Sequence, residues 1–440
     1  MKILILDPER QVSHRISKDT SGGYGTGNDF GDTFVPNFLK KTLKLIHDWP
    51  PMFAIYSMAV LKKYGHEVTY SKKLPYNIKE FDQFIVVSSI VCCETECDFI
   101  KQISKLKKKI FVIGPFATSN PHKYNEAGGS VIMGEPEFFF LKNEDLQNIE
   151  NKKIINFQHN YSLDDLPYPD WENVIKNNKT SILFGFDKSL PILATRGCPY
   201  SCFKYCVYPL QQGRKPRHRQ SKNIVDEIEH WNKKFKVKMF IFRDPVFSIN
   251  RNHTIEFCNE LISRKLNIKF IIETHLRILD SELILILKQA GLKAVKVGVE
   301  SGDEEVLKDA SRFTIKQDDQ LTKIRELEKN KILISSMFII GFPTDNEESI
   351  MKTINYAKKL NTTFSQFSVW TPYPGTPVFK EYENEITADK FEQFDQYNLV
   401  FKHKKLSQRV IRKYLSKAYS SYYLRINWLS KYIKSLLLSK

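Results

Sequence analysis

Short apolar runs alternate with amphipathic stretches along most of the chain, beginning at Lys2-Ile3-Leu4-Ile5-Leu6. Apolar runs of strand length bounded by turn residues read as buried parallel strands, and a 3.6-residue apolar repeat between them reads as helix. Over residues 1–145 this pattern predicts strands at 2–6, 67–70, 84–90, 109–114 and 130–133, with helices at 53–64 and 95–107. Strand–helix alternation of this kind builds a small Rossmann-like, doubly wound parallel sheet that takes ligands at the carboxyl ends of its strands. Residues 15–50 break the alternation. They carry Ser21-Gly22-Gly23-Tyr24-Gly25-Thr26-Gly27 and are expected to form a long functional loop.

Residues 146–185 are polar, contain Leu166-Pro167-Tyr168-Pro169-Asp170-Trp171, and read as a linker. Over 186–385 strands are expected at 191–195, 237–243, 268–274, 294–299, 333–340 and 365–370, separated by helices at 222–234, 253–265, 280–290, 303–309, 317–330 and 346–360. The fold class is therefore α/β: the Rossmann-like sheet, then a partial (β/α)6 TIM-type barrel whose chemistry sits at its strand C-termini. Residues 386–440 are expected to be a basic helical region. Apolar positions at Leu406, Val410, Tyr414, Ala418, Tyr422, Ile426, Leu429 and Ile433 make a one-sided stripe there.

Chemistry concentrates after the first barrel strand, where Cys198, Cys202 and Cys206 fall within nine residues. Three thiolates on one loop can hold an iron–sulfur cluster and leave one iron open, since such clusters ordinarily take four cysteines and an open position marks catalysis. Buried structural thiols and a zinc site short of one ligand are the bland alternatives. The other strand ends also deliver glycine, polar or charged residues: Arg243-Asp244, Glu273-Thr274-His275-Leu276-Arg277, Gly298-Val299-Glu300-Ser301-Gly302, Gly341-Phe342-Pro343 and Pro372-Tyr373-Pro374-Gly375-Thr376-Pro377.

Taken together, these segments resemble the radical S-adenosylmethionine (SAM) superfamily, and more narrowly its subgroup with an N-terminal cobalamin-binding domain, over about residues 1–430. The resemblance implies that Cys198, Cys202 and Cys206 ligate a [4Fe–4S] cluster whose open iron chelates SAM. It implies that Tyr205 lies by the adenine, that Asp244 holds the SAM amino group and Arg277 its carboxylate, that Glu300 and Ser301 meet the ribose, and that Gly341 lets the backbone approach the adenine. Asp244 and Arg277 could instead form a structural ion pair. The family pattern places two residues between its second and third cysteines, whereas here there are three, Phe203, Lys204 and Tyr205.

In the first unit, Ser89, the Gly114-Pro115 turn and the Gly134 turn match the strand ends that would cradle cobalamin. The Asp-x-His-x-x-Gly run that supplies a histidine to cobalt is absent, and neither His14 nor His122 sits in such a context. Cobalamin would then bind without a protein ligand to cobalt, or the domain is vestigial. Cys92, Cys93 and Cys97 read as buried small residues, with a second metal site as the sharper alternative.

Composition adds bounds. The net charge is +17, but residues 401–440 hold eleven Lys or Arg and no acid, leaving 56 basic against 50 acidic residues elsewhere. The tail is thus expected to pack on the barrel with a solvated basic face, or to touch a membrane surface. Nucleic acid is not an expected partner, because no RNA-binding module follows the barrel. Seven clustered cysteines argue against a disulfide framework and for the cytoplasm, with peripheral contact at the inner membrane face as an option. The start is too short for a secretory signal. The expected activity is cobalamin-dependent methyl transfer to an unactivated carbon of a small-molecule or lipid-like metabolite, with an electron donor such as flavodoxin or ferredoxin. Rearrangement or cyclisation without methylation, and tRNA modification, are the alternatives. The 21–27 loop, Arg214 to Arg219 and residues 386–400 are candidates for recognising the substrate.

Overall fold

The computed structural model describes residues 1–44, 49–149, 152–177 and 188–437. Parts of the expected linker (150–151 and 178–185), the first two residues of the expected barrel unit (186–187), 45–48 of the expected loop and the last three residues of the tail lie outside the described residues.

Apolar runs over Lys2–Leu6, Glu67–Ser71, Gln83–Val87, Ile110–Ile113 and Ser130–Ile132 form a parallel sheet in which Lys2–Leu6 lies between Glu67–Ser71 and Gln83–Val87. The strand order reverses there, and ligands of doubly wound sheets bind at that switch point. Two expectations change. Ile154–Ile155 joins the same sheet as its outer strand, so the first unit extends into residues read as linker. The 15–50 segment is not a plain loop: Ile16–Ser17 pairs with Thr26–Gly27, and Phe34–Lys44 is a helix. Val35 and Pro36 are buried, so packing against the Gln408–Tyr423 helix stabilises a helix that the glycine-rich composition upstream obscured.

The second sheet contains Ser189–Ile192, Met239–Phe242, Lys269–Thr274, Leu292–Glu300, Leu333–Ile340 and Phe364–Val369, parallel and in chain order. Its first and last strands do not pair, leaving the barrel open. Helices lie between the strands, with starts set by side-chain caps at Asp280 and Asn346 and an end at Asn361 in the left-handed region. On the helix-facing side Phe242, Phe247, Phe257 and Phe270 interlock, with Phe242 and Phe247 centroids 4.5 Å apart.

An open barrel leaves an edge strand with unpaired backbone groups. The Gln408–Tyr423 helix covers that edge. Tyr419 donates to Phe367 O at 2.9 Å and accepts from Phe367 N at 3.1 Å, and Tyr423 does the same for Ser365 at 2.8 and 3.0 Å. The apolar stripe therefore has two fates. Leu406, Tyr414, Ala418 and Tyr422 are buried, whereas Ile426, Leu429 and Ile433 on the Ile426–Leu437 helix are exposed. Residues 386–407 hold one 3-10 turn, Phe391–Gln393, and are otherwise irregular rather than helical, with Ile386 bridged to Phe401. No helix among the described residues is long and apolar enough to cross a membrane.

The two sheets meet around Arg196, immediately before the cysteine loop. Its guanidinium pairs with Glu135 at 2.5 Å and with Glu137, and lies over the rings of Tyr56 and Phe138. Arg217 and His159 also reach Glu135, at 2.9 and 3.5 Å. Burial raises the Glu135 carboxyl pKa, but Arg196 together with His159 and Arg217 outweighs it and holds the group at about 2. Removing one partner of a buried pair leaves an uncompensated charge at a cost of about 3–5 kcal/mol. Arg196→Met should therefore lower the unfolding free energy by that order in denaturant melts, and adding Glu137→Gln should recover part of it. Because the folded Glu135 carboxyl sits below its ordinary 4.5, its stabilisation is complete above that pH and is lost as the pH falls toward 2.

Candidate active site

The cysteine loop is held at both ends. Asp244, at the end of its own strand, accepts the backbone N–H of Ala194 at 3.1 Å and that of Thr195. Thr195–Arg196 then pairs antiparallel with Arg217–His218, closing 197–216 into one loop. Gly197 has φ +91°, and a Cβ there would stand 2.3 Å from the Lys215 carbonyl oxygen, so only glycine fits. Burial pushes the Asp244 pKa up to about 7. Its carboxylate is thus spent on positioning the strand end, and it forms no ion pair with Arg277. The Arg277 guanidinium lies exposed over the rings of Phe313 and Tyr200, at 4.5 and 5.8 Å.

The extra residue in the loop has a geometric consequence. Ser201–Lys204 forms a turn in which Cys206 N donates to Cys202 O at 2.9 Å. A spacing of four places two side chains on one face of a helical turn, and the Cys202 and Cys206 thiols are within hydrogen-bond reach. That contact, helped by Arg312 against the effect of burial, lowers the Cys202 thiol to about 7, whereas the same contact and burial raise Cys206. Cys198 is buried and raised by burial.

Arg312, which carries no sequence signal of its own, is the cation of this site. It donates to Gly298 O at 3.0 Å, pairs with Glu300 at 3.2 Å and lies beside the Cys202 thiol. Its turn is tied to the cysteine loop by Ser201, which donates to Ser311 O at 2.8 Å, and by Lys204, which donates to Ser311 Oγ at 3.0 Å. Glu300 reaches it through a register shift in the strand and a positive φ of 68°. A Cβ at Gly298 would stand 2.5 Å from Glu300 Oε1, so a larger residue there would displace that carboxylate. Two polar atoms here are buried without partners, Arg312 Nε and the Tyr205 hydroxyl. The Tyr205 ring stands edge-on to Phe342, with centroids 6.0 Å apart.

Ser301 and Gly341 are held differently. The Ser301 hydroxyl bonds Thr353 at 3.0 Å and accepts from Asp303 N at 3.1 Å, fastening the strand end to the Glu347–Leu360 helix. Gly341 has φ +79°, donates to Asp345 at 2.8 Å, and faces Ile411 where its Cβ would be.

Alternate strand residues face opposite sides of a sheet. Met239, Ile241, Ile271, Ala294 and Leu333 form a separate apolar cluster inside the barrel, and two residues onward on three of these strands stand Arg243, Glu273 and Lys296. Asp19 of the 15–31 segment ion-pairs with Arg243 at 2.7 Å. That segment also covers the first unit's strand ends: a Cβ on Gly23 would be 2.9 Å from Pro115, and one on Gly22 would be 3.2 Å from Tyr208. At the switch point itself Lys18 bridges Asp7 at 2.8 Å, Glu96 at 2.7 Å and Val87 O at 3.1 Å. Ser89 is bound to Glu96 through its hydroxyl at 2.8 Å. Gly114 starts a short helix, and its missing Cβ faces Ser88 and Phe53, whereas Gly134 faces open space. His14 packs by Gly27 and is lowered to about 4 by burial, and His122 is exposed. Cys92, Cys93 and Cys97 are buried, with burial pushing Cys92 and Cys97 up to about 12.

Residues 192–357 match the family model described as the Radical SAM superfamily. Those residues, which span most of the barrel, are a radical SAM domain. Over 376 residues it is 26% identical to an uncharacterised methyltransferase, PH0819, of Pyrococcus horikoshii, covering 79% of this chain and 80% of that protein. Over 224 residues it is 29% identical to bacteriochlorophyllide d C-12(1)-methyltransferase of Chlorobaculum tepidum, covering 50% of this chain and 48% of that one. It thus spans about half the length of this second relative. The structure of the radical SAM methyltransferase TsrM from Kitasatospora setae, with cobalamin and a [4Fe–4S] cluster bound, overlays with a TM-score of 0.64 at 15% identity, covering 94% of this chain and 84% of that one. That likeness is one of fold.

A radical SAM domain implies a [4Fe–4S] cluster and SAM, and the donor set suits them. Among the described residues no three His, Cys, Asp or Glu side chains converge on a single metal ion, but the ligands of a cubane each hold a different iron and need not converge. Thiolates are the soft donors such clusters take, and Arg312 offsets their charge. In metal-free protein, Cys202 should alkylate with iodoacetamide faster than Cys198 at pH 7–8, and Arg312→Met should slow Cys202 selectively; equal rates in both proteins would remove Arg312 as the cause.

Proposed function

We propose that the enzyme cleaves SAM reductively and transfers a methyl group to a carbon of a small molecule. The observation that carries this reading is the loop of three thiols around Arg312, set at the C-terminal mouth of an open parallel barrel and facing a second sheet. When bound, the cluster supplies one electron to SAM and so generates a 5′-deoxyadenosyl radical.

The chain's own residues then have these duties. Cys198, Cys202 and Cys206 hold three irons. Arg312 Nε, buried and unpartnered, is the donor best placed for the SAM carboxylate, a task the family resemblance implied for the exposed Arg277. Tyr205 and Phe342 flank the adenine, Glu300 accepts from the ribose, and the Gly341 turn, packed against Ile411, lies beside it. Asp244 and Ser301 act as positioning residues, the first for the cysteine loop and the second for the Glu300 strand end.

Methyl transfer is supported by the relatives named as methyltransferases and by the shared fold with TsrM. Cobalamin is the proposed second cofactor. The Gly134 turn and the Gly114-Pro115 helix start are the residues that would hold it, with Ser89 behind them, and the glycine turn at 21–25 would have to withdraw from Pro115. The switch-point crevice does not suit its nucleotide tail, because Lys18, Asp7 and Glu96 fill it. An electron donor of the flavodoxin or ferredoxin type completes the proposed system.

Anaerobic reconstitution tests the reading. We expect three to four irons per chain, judged by the four irons of a cubane, and 5′-deoxyadenosine from reduced protein and SAM, with both lost in the triple Cys→Ala variant. Added hydroxocobalamin should stay with the protein through gel filtration, and SAM deuterated at its methyl group should label product formed from a metabolite extract. Absence of 5′-deoxyadenosine sinks the radical reading; its formation without corrin retention removes cobalamin alone.

A further inference from the structure

The barrel interior holds more charge than the cluster and SAM account for. Glu273 and Lys296 are direct cross-strand neighbours in parallel register. Neither head group has a hydrogen-bond or ion-pair partner among the described residues. Lys296 is half-buried among Arg243, Glu273, Asp19 and Arg15, and desolvation with the two arginines pushes its pKa down despite the two carboxylates. Tyr208 faces Glu273, Arg243, Asp19 and Cys206, so these charges and the cysteine loop share one space. Beneath lies the apolar floor of Met239, Ile241, Ile271, Ala294 and Leu333. The lumen is thus dry below and charged above.

Formal charges decide what it fits. Arg15, Arg243 and Lys296 oppose Asp19 and Glu273, while Arg312 and Glu300 balance each other. One positive charge is in surplus, carried by a lysine whose ammonium has no partner. An unpaired charge partly withdrawn from water is costly, so a single negative charge on a ligand would relieve it. A carboxylate supplies one such charge. A phosphate dianion would overshoot and leave an excess of negative charge beside Glu273.

We infer that the barrel lumen recognises a carboxylate on the substrate through Lys296 and Arg243, with Asp19 of the N-terminal segment orienting Arg243 and the apolar floor receiving the substrate's uncharged part. That the bound molecule is the substrate rests on the function proposed above; the carboxylate site itself does not.

The test uses glyoxylate, a small aldehyde bearing a carboxylate, against acetaldehyde, which is of similar size and uncharged. In reconstituted full-length protein under anaerobic conditions, either aldehyde condenses with a lysine amine, releasing water, and cyanoborohydride delivers the hydride that fixes the adduct. Peptide mass mapping reads carboxymethyl against ethyl at each lysine. Relative to exposed lysines such as Lys236, Lys296 should favour glyoxylate about tenfold, the factor for a charge-assisted contact of about 1.5 kcal/mol. Excess acetate should suppress that preference more than inorganic phosphate does. Arg243→Gln should reduce the preference while leaving acetaldehyde modification of Lys296, the measure of an intact lumen, in place. No preference, no modification of Lys296 by either aldehyde, or stronger suppression by phosphate would overturn the inference. The labelling is independent of SAM cleavage. Failure to form 5′-deoxyadenosine therefore counts against the proposed function and leaves the carboxylate site standing.

Discussion

Arg196 sits where the two sheets meet, with its guanidinium between Glu135 and Glu137 and against the faces of Tyr56 and Phe138. Water is excluded there, so the charge is tolerable only while both carboxylates stay in place. Two residues further on is Cys198. The same pairing that joins the sheets therefore sets the start of the cysteine loop, and Asp244 fixes it from the barrel side through the Ala194 and Thr195 amides. Displacing either contact would move the thiols relative to the other strand ends.

From that anchored loop outward, the site is organised by one cation. Arg312 ties the end of the Leu292–Glu300 strand, through the Gly298 carbonyl and the Glu300 carboxylate, to the neighbourhood of the Cys202 thiol, and the positive φ of Glu300 lets its carboxylate turn that way. The barrel's openness has its own remedy. Tyrosine hydroxyls of the last long helix bond the edge strand's free N–H and C=O groups, which keeps the lumen closed on that side without another strand.

Much of the architecture was legible because its signals are local. The barrel strands and helices lie within about three residues of the positions read from apolar periodicity, since buried parallel strands are continuous apolar runs. The Phe34–Lys44 helix was missed because it depends on a distant partner. Ile154–Ile155 was missed because two residues make no pattern. Glu273 and Lys296 did leave a signal, charges interrupting apolar strands at lumen-facing parity, but parity acquires meaning only once the sheet curves.

The amino-acid sequence alone determined the strand–helix order, the three thiols and the positive-φ glycines, all encoded within a few residues of one another. Tertiary structure decided which charge serves which group. It directed Asp244 to backbone amides and Arg277 to aromatic faces, brought Arg312 to the thiols, and drew Asp19 across to Arg243. Those outcomes rest on electrostatic interactions between segments far apart in the chain, whose strength depends on enclosure and distance, and neither exists until the sheets have packed.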